Sequence, residues 1–259
     1  MIEELLPAQV EAAEAFHDPA EPPPLFPEEE RLVAGAVAQR RQEFGTVRAC
    51  ARTALARLGV PAAPILRGER GAPRWPASVV GSMTHCAGYR AAAVARSVDV
   101  VTIGLDAEPD EPLKNGGVLD LVTVAEERAW LAGAAARWPD VHWDRLVFSA
   151  KESVYKAWFP LTGRWLDFEE AVITVDPGAG TFAARLLVPG PEVAGIRLPG
   201  FSGRWLIRDG LILTAIVVAA ASPAAGDDGG SRAHPSTRRG PAFRAGYRTS
   251  EEATPTAQP

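Results

Sequence analysis

The sequence predicts an α+β fold with antiparallel sheets, and three observations carry that reading. Short apolar–polar alternations joined by tight turns recur along the chain, in "VVGSMTHCAGYRAAAVARSVDVVTIGLDAE", "FEEAVITVDPGAGTFAARLLVPG" and "GRWLIRDGLILTAIVVAA". The helical stretches lie before and between these strand groups instead of alternating one for one with single strands, which argues against a parallel sheet built from crossovers. At 259 residues, 47% of them hydrophobic and 23% charged, the chain can bury one large core or two small ones.

Each element follows from local signals. "EPPPLFP", from Glu21, is a proline-rich loop. A helix is expected from Pro27 to the Gly59 stop, with an acidic first turn and with Gly45 as its dividing point. "GVPAAPILRGERGAPRWP" is punctuated by Pro and Gly and reads as loop. Strand, turn, strand, turn and strand are expected through "VVGSMTHCAGYRAAAVARSVDVVTIGLDAE". "LDLVTVAEERAWLAGAAARW" is expected as one helix and "DVHWDRLVFSAKESVYKAWFP" as another. Two hairpins follow, turning at "DPGAG" and at Asp209-Gly210. Beyond Ser222 the sequence is rich in Gly, Pro, Ser and Thr with almost no periodic apolar residues, so residues 223–259 are expected to be a disordered tail.

Bulk properties narrow the function classes. A formal net charge of −5 argues against non-specific nucleic-acid binding, while leaving room for a local basic pocket. Cys50 and Cys86 make neither a disulfide framework nor a zinc site, and are expected as buried free thiols. "MIEELLPAQVEAAEAF" lacks a positive segment followed by an apolar run, so it does not read as a signal peptide. "LILTAIVVAAA" is shorter than the roughly 20 residues that span a bilayer. A cytoplasmic protein without nucleic-acid or membrane partners is expected.

The stretch "VTIGLDAEPDEPL" carries the first chemical signal. In an extended strand Val101, Ile103 and Leu105 point one way, and Asp106 and Glu108 the other. A hard divalent cation between the two carboxylates would remove their repulsion. An acidic strand end turning into solvent has the same spacing, and D-x-E alone does not choose between them. The second signal is "DRLVFSAKESVYKAWF". Trp143, Leu146, Val147, Ala150, Val154 and Trp158 form an apolar stripe, while Ser149, Glu152 and Lys156 share another helical face. Glu152 and Lys156 stand at i, i+4, the spacing of a solvated ion pair as well as of a site.

Taken together, "GSMTHCAGYRAAAVA", "IGLDAE" and "FSAKESVYKAW", in this order and spacing, resemble the 4′-phosphopantetheinyl transferases, in particular the larger, monomeric class typified by surfactin- and enterobactin-type enzymes. "RRQEFGTVRACARTALARLG", "GERGAPRWP" and "LTGRWLDF" extend the resemblance from about Arg31 to about Ala220. It implies a pseudo-dimer of two similar halves, each a small antiparallel sheet packed on a long helix, with the active site in the cleft between them. Residues 1–102 would form the first half and 103–222 the second, carrying the metal site. The implied reaction transfers the phosphopantetheine arm of coenzyme A, the co-substrate, to a serine of an acyl or peptidyl carrier protein, releasing adenosine 3′,5′-bisphosphate. Fatty-acid, polyketide, peptide and siderophore carriers are all open.

The resemblance also assigns roles. Asp106, Glu108 and Glu152 are the expected ligands of Mg²⁺, with Mn²⁺ as a substitute of the same oxygen preference. Glu152 is in addition the candidate base for the carrier serine, and Lys156 the cation for the leaving phosphate. Thr84 and His85 are expected on the coenzyme A phosphates, together with Arg40, Arg48, Arg67 and Lys151, and Arg70 as a weaker candidate. Tyr155 and Trp165 are candidates for walls of the pantetheine channel, or for plain core aromatics. The loop "GAPRWP" lacks a lysine that some relatives carry, which makes Arg67 or Arg70 the expected replacement. His17, His142 and His234 are assigned no role. Two other readings compete: a non-catalytic coenzyme A-binding module, and a Mg²⁺-dependent pyrophosphate hydrolase using the same carboxylates.

Overall fold

A computed structural model describes residues 1–114 and 116–221; the tail expected beyond Ser222 lies outside the described residues. The first half opens with strand β1 (Glu11–Ala15), helix α1 (Pro27–Leu32) and the 20-residue helix α2 (Ala38–Arg57). A two-stranded lip, β2 (Leu66–Arg67) and β3 (Pro73–Arg74), leads into the hairpin β4 (Val79–Cys86) and β5 (Tyr89–Arg96). The sheet runs β1-β5-β4 and is antiparallel throughout, with Ala13 opposite Ala92 and Ser82 opposite Ala93. β5 is buried from Tyr89 to Ala95 because both its faces are covered. Ala92 and Val94 pack with Ala51, Ala54 and Leu55 of α2, while Ala91, Ala93 and Ala95 face the other way into a second cluster. Small side chains allow both layers to approach closely.

The second half comprises β6 (Val100–Pro109), α3 (Gly116–Val122), α4 (Ala125–Arg137) and the 20-residue α5 (Trp143–Thr162). Strands β7 (Ala171–Asp176), β8 (Thr181–Leu186), β9 (Glu192–Val193), β10 (Ile196–Arg197), β11 (Gly200–Arg208) and β12 (Leu211–Ala219) complete it. Five of these strands make one antiparallel sheet, in the order β6-β12-β11-β8-β7. The whole apolar stripe of α5, from Trp143 to Trp158, is buried against this sheet in the largest core cluster. The fold is thus α+β, with two similar halves, each one long helix on an antiparallel sheet.

The halves meet along β4 and β6 without a backbone ladder. One edge of β6 pairs with β12; on the other, Leu105 N–H donates to Ser82 Oγ and Ala107 N–H to Thr84 Oγ1, each at 3.0 Å. Two hydroxyls on one face of β4 thereby satisfy the amides that an edge strand would leave open.

One strand goes unread in the sequence, and two expectations about elements are corrected. β1 reads EAAEA, without a β-branched residue, so its propensity hid a strand that is fixed by pairing with β5. The first helical region breaks at Val33–Val37 and runs straight through Gly45, which lies against Pro23, its backbone oxygen 3.4 Å from where a Cβ would stand. The stretch expected as one helix from Leu119 restarts at α4, after the β-branched run Val122-Thr123-Val124, where Glu127 accepts the Val124 N–H at 2.8 Å. Among the described residues no helix is long and apolar enough to cross a membrane.

Candidate active site

A cleft of about 520 Å³ opens at the seam between the halves. Arg40 and Arg48 reach it from α2, Arg67 and Arg70 from the β2–β3 lip, Thr84 and His85 from β4, and Glu152 and Lys156 from α5. Side chains far apart in sequence meet there because the two long helices flank the seam from opposite sides.

Of the three expected metal ligands only Glu152 lines the cleft; Asp106 adjoins it through Lys156 and Thr84, which do line it. Asp106 on β6 is 4% exposed, and its Oδ1 accepts from Lys156 Nζ at 2.7 Å and from Thr84 Oγ1 at 3.4 Å. Its other oxygen, Oδ2, is buried without a hydrogen-bond partner among the described residues. Glu108, two residues along the strand, is held by Arg145 Nη1 at 2.9 Å. Burial, and then the nearby Asp106 charge, push the Glu108 carboxyl up to about 7 despite that arginine. Burial and Asp106 also raise Glu152, with Lys156 opposing. The i, i+4 ion pair expected between Glu152 and Lys156 is replaced by the pairing of Lys156 with Asp106, the more buried carboxylate.

The donor chemistry fits a hard divalent cation: burial and then the Asp106 charge raise the proton affinity of both Glu108 and Glu152, and one buried Asp106 carboxylate oxygen is left unpartnered among the described residues. The expected gathering of all three in ligand geometry is not seen: among the described residues no three His, Cys, Asp or Glu side chains stand so arranged. Lys156 and Arg145 instead hold Asp106 and Glu108.

On the basic side, Arg40 Nη1 lies 2.6 Å from His85 Nε2 and 3.4 Å from Glu43 Oε2. A guanidinium only donates, so His85 Nε2 accepts from Arg40 as an unprotonated ring nitrogen, and burial together with the Arg40 charge pushes the His85 pKa down in the same sense. Arg48 is 4% exposed, stacks 3.2 Å over the Phe44 ring and donates Nε to Ile65 O at 3.1 Å. Arg67 also leans over Phe44, while Arg70 lies 5.4 Å over the Trp165 ring. Thr84 lines the cleft, but its hydroxyl is engaged by Ala107 and Asp106, which makes it a support for Asp106.

Lys151 is a correction. Its side chain turns away from the cleft and is buried, with Nζ 2.8 Å from Glu127 Oε2 and donating to Phe168 O and Ala171 O at 2.7 and 2.9 Å. A helix step of one residue rotates the side chain away from the Glu152 face, and Glu127 is waiting there. Cys86 corrects a smaller expectation: it is partly exposed, unlike the buried Cys50, and burial together with Glu108 and Asp106 pushes its thiol up to about 12.

The sequence did not single out four residues that build the site from behind. Glu29 is fully buried, pairs with Arg52 at 3.0 Å and Arg48 at 3.5 Å, and accepts the Ile65 N–H. Glu43 joins Arg40 to Arg90, Glu127 anchors Lys151, and Arg145 anchors Glu108. In the sequence Glu29 is one of three acidic residues of a first turn and Arg145 one more helical arginine; neither pattern distinguishes a buried partner from a solvated one.

Behind Glu152 a smaller cavity of about 140 Å³ is walled by Tyr155, Trp165 and Phe168, with the two ring centroids of Tyr155 and Trp165 4.9 Å apart. A larger groove, about 630 Å³, lies on the back of the second sheet; among the described residues Asp176 and Arg204 are its only ionisable lining groups, so it offers no comparable chemistry.

Comparison with known proteins points the same way. A family model described as the 4′-phosphopantetheinyl transferase N-terminal domain matches residues 28–95, and one described as the 4′-phosphopantetheinyl transferase superfamily matches residues 102–194. Over 222 residues the chain is 62% identical to the 4′-phosphopantetheinyl transferase Svp of Streptomyces mobaraensis, covering 85% of this chain and 90% of that one. It is 53% identical over 227 residues to the transferase Npt of Nocardia iowensis, covering 85% of this chain and 100% of the relative. A more distant similarity, 33% over 133 residues, spans about half of enterobactin synthase component D of Salmonella typhi (53%) and of this chain (51%).

Proposed function

The chain belongs to the 4′-phosphopantetheinyl transferase family, and from that premise we propose that it transfers the phosphopantetheine arm of coenzyme A to a serine of apo acyl or peptidyl carrier proteins, as a cytoplasmic monomer dependent on Mg²⁺. The observation that carries this reading is the convergence of Glu152 and Lys156 with His85 and the arginines across one cleft, beside an Asp106 whose Oδ2 has no partner among the described residues.

In the proposed reaction the serine oxygen forms a bond to the β-phosphorus of coenzyme A. The bond from that phosphorus to the bridging oxygen breaks, and its electron pair leaves on adenosine 3′,5′-bisphosphate. Glu152 takes the serine proton; burial, and then the Asp106 charge, raise its proton affinity, which strengthens it as a proton acceptor. Lys156 supplies a cation to the leaving phosphate. Arg40, Arg67 and Arg70 bind the remaining phosphate charge, and neutral His85 orients Arg40. Tyr155 and Trp165 offer an apolar wall for the pantetheine arm. Asp106, Glu108 and Glu152 would hold Mg²⁺, or Mn²⁺ in its place, and the bound ion supplies charge stabilisation at the pyrophosphate oxygens.

The test is incubation with coenzyme A, Mg²⁺ and a panel of apo carriers, read by mass spectrometry. A carrier heavier by one phosphopantetheine arm, with equimolar adenosine 3′,5′-bisphosphate, is the expected result. Cleavage of coenzyme A without any carrier would make the protein a pyrophosphate hydrolase. Binding without turnover on every carrier would make it a non-catalytic module.

A further inference from the structure

The start of α5 does more than begin a helix. Three neighbouring residues there reach across to the segment that leaves β6. His142 Nδ1 lies 2.8 Å from Asp110 Oδ1, and Asp144 Oδ2 accepts the Leu113 N–H at 2.8 Å. Arg145 uses its whole guanidinium fork: Nε donates to Glu111 O at 3.1 Å, Nη2 to Pro112 O at 3.0 Å, and Nη1 to Glu108 Oε2 at 2.9 Å. The Arg145 and Glu108 side chains are only 13% and 19% exposed, so this contact is shielded, unlike an ordinary surface pair. Asp110–His142 and Asp144–Leu113 already tie the loop to the helix. The distinct contribution of Arg145 is therefore its grip on the carboxylate.

We propose that Arg145 is a positioning residue for the metal site, fixing Glu108 through Oε2 and leaving Oε1 available to a divalent ion. The same helix thus provides one ligand directly, Glu152, and orients another two turns earlier. A planar fork locked by two backbone carbonyls has no freedom to follow Glu108 elsewhere, which is what orientation of a ligand by its outer partner requires. This inference rests on reading Glu108 as a metal ligand.

The experiment titrates Mn²⁺ alone into the full-length protein and its variants, counting free Mn²⁺ by electron paramagnetic resonance, with circular dichroism as a check on folding. Arg145→Gln is expected to weaken Mn²⁺ binding by about tenfold or more. Asp144→Ala, which frees the Leu113 amide without touching Glu108, is expected to bind Mn²⁺ as the wild type does. Arg145→Lys, which keeps the charge but loses the fork, should fall between wild type and Arg145→Gln, and it carries the test if the glutamine variant does not fold. Wild-type affinity in the position-145 variants, or an equal loss in Asp144→Ala, would overturn the inference, since Arg145 would then only hold the loop. Glu108→Gln separates the two levels: if it binds Mn²⁺ as well as wild type, the metal-ligand reading itself fails. If Glu108→Gln loses binding and Arg145→Gln keeps it, only the positioning role fails.

Discussion

Lys151 and Glu152 are adjacent in sequence and end in opposite surroundings. Glu152 faces the cleft; Lys151 is buried on Glu127, whose two oxygens also accept the Val124 and Ile173 amides. Removing Lys151 alone leaves a buried carboxylate uncompensated. Lys151→Met should therefore destabilise the protein by about 3–5 kcal/mol, seen as a lower denaturant midpoint. Glu152→Gln should do the reverse: kcat lower by about 10²–10⁴-fold with the melting temperature kept. Glu108 gives a pH signature in the metal-free protein. Folding raises its pKa from 4.5 to about 7, so its stabilising contribution is full below the unfolded value and is lost as pH rises through the folded one. The melting temperature of the metal-free protein should fall across that window, and Glu108→Gln should flatten the fall. If the two melting curves lose stability in parallel, Glu108 is not the titrating group.

The relation of α5 to β6 sets how close Glu152 can come to Asp106. A Cβ on Gly104 would stand 2.0 Å from Ser153 O, so the helix rests directly on the strand there. Thr102 Oγ1 donates to Ala157 O at 2.9 Å, and Thr214, opposite Asp106 in the ladder, shares its hydroxyl with Ser149 and Ser153 at 2.9 and 2.6 Å. These polar contacts hold the helix at one height in an otherwise apolar layer. Gly104→Ala must lift α5 or bend β6. It should destabilise by about 1–3 kcal/mol and lower kcat together with it, because the lift separates the carboxylates. Normal turnover with a reduced midpoint would show that the site tolerates the displacement. The apolar stripe of α5 was legible because a 3.6-residue period survives any context, whereas β1 was not, since EAAEA becomes a strand only beside β5.

Two side-chain hydroxyls, Ser82 and Thr84, join the halves where a sheet would normally use backbone pairs. Replacing them with Ala and Val orphans the Leu105 and Ala107 amides at the seam, at about 1–3 kcal/mol each. The double variant should unfold at lower denaturant and show a higher KM for coenzyme A, because the cleft takes its walls from both halves. An unchanged KM would mean that the alanine-rich contact between β5 and β6 fixes the halves without the hydroxyls.

Patterns local in the chain are therefore legible in the sequence by itself: the hairpins, the long helix with its stripe, the D-x-E pair and the Glu152/Lys156 face, together with the order of motifs that marks the family. Partnerships are decided only by the tertiary structure. Which of two neighbouring acids or lysines faces solvent, that Lys151 belongs to Glu127 and Arg145 to Glu108, and that Thr84 supports Asp106, depend on segments roughly 20 to 40 residues apart being brought together by folding. Periodicity gives the direction of a side chain about its own element, but a charge acquires a role only when folding brings its counterpart to it and removes the water from both.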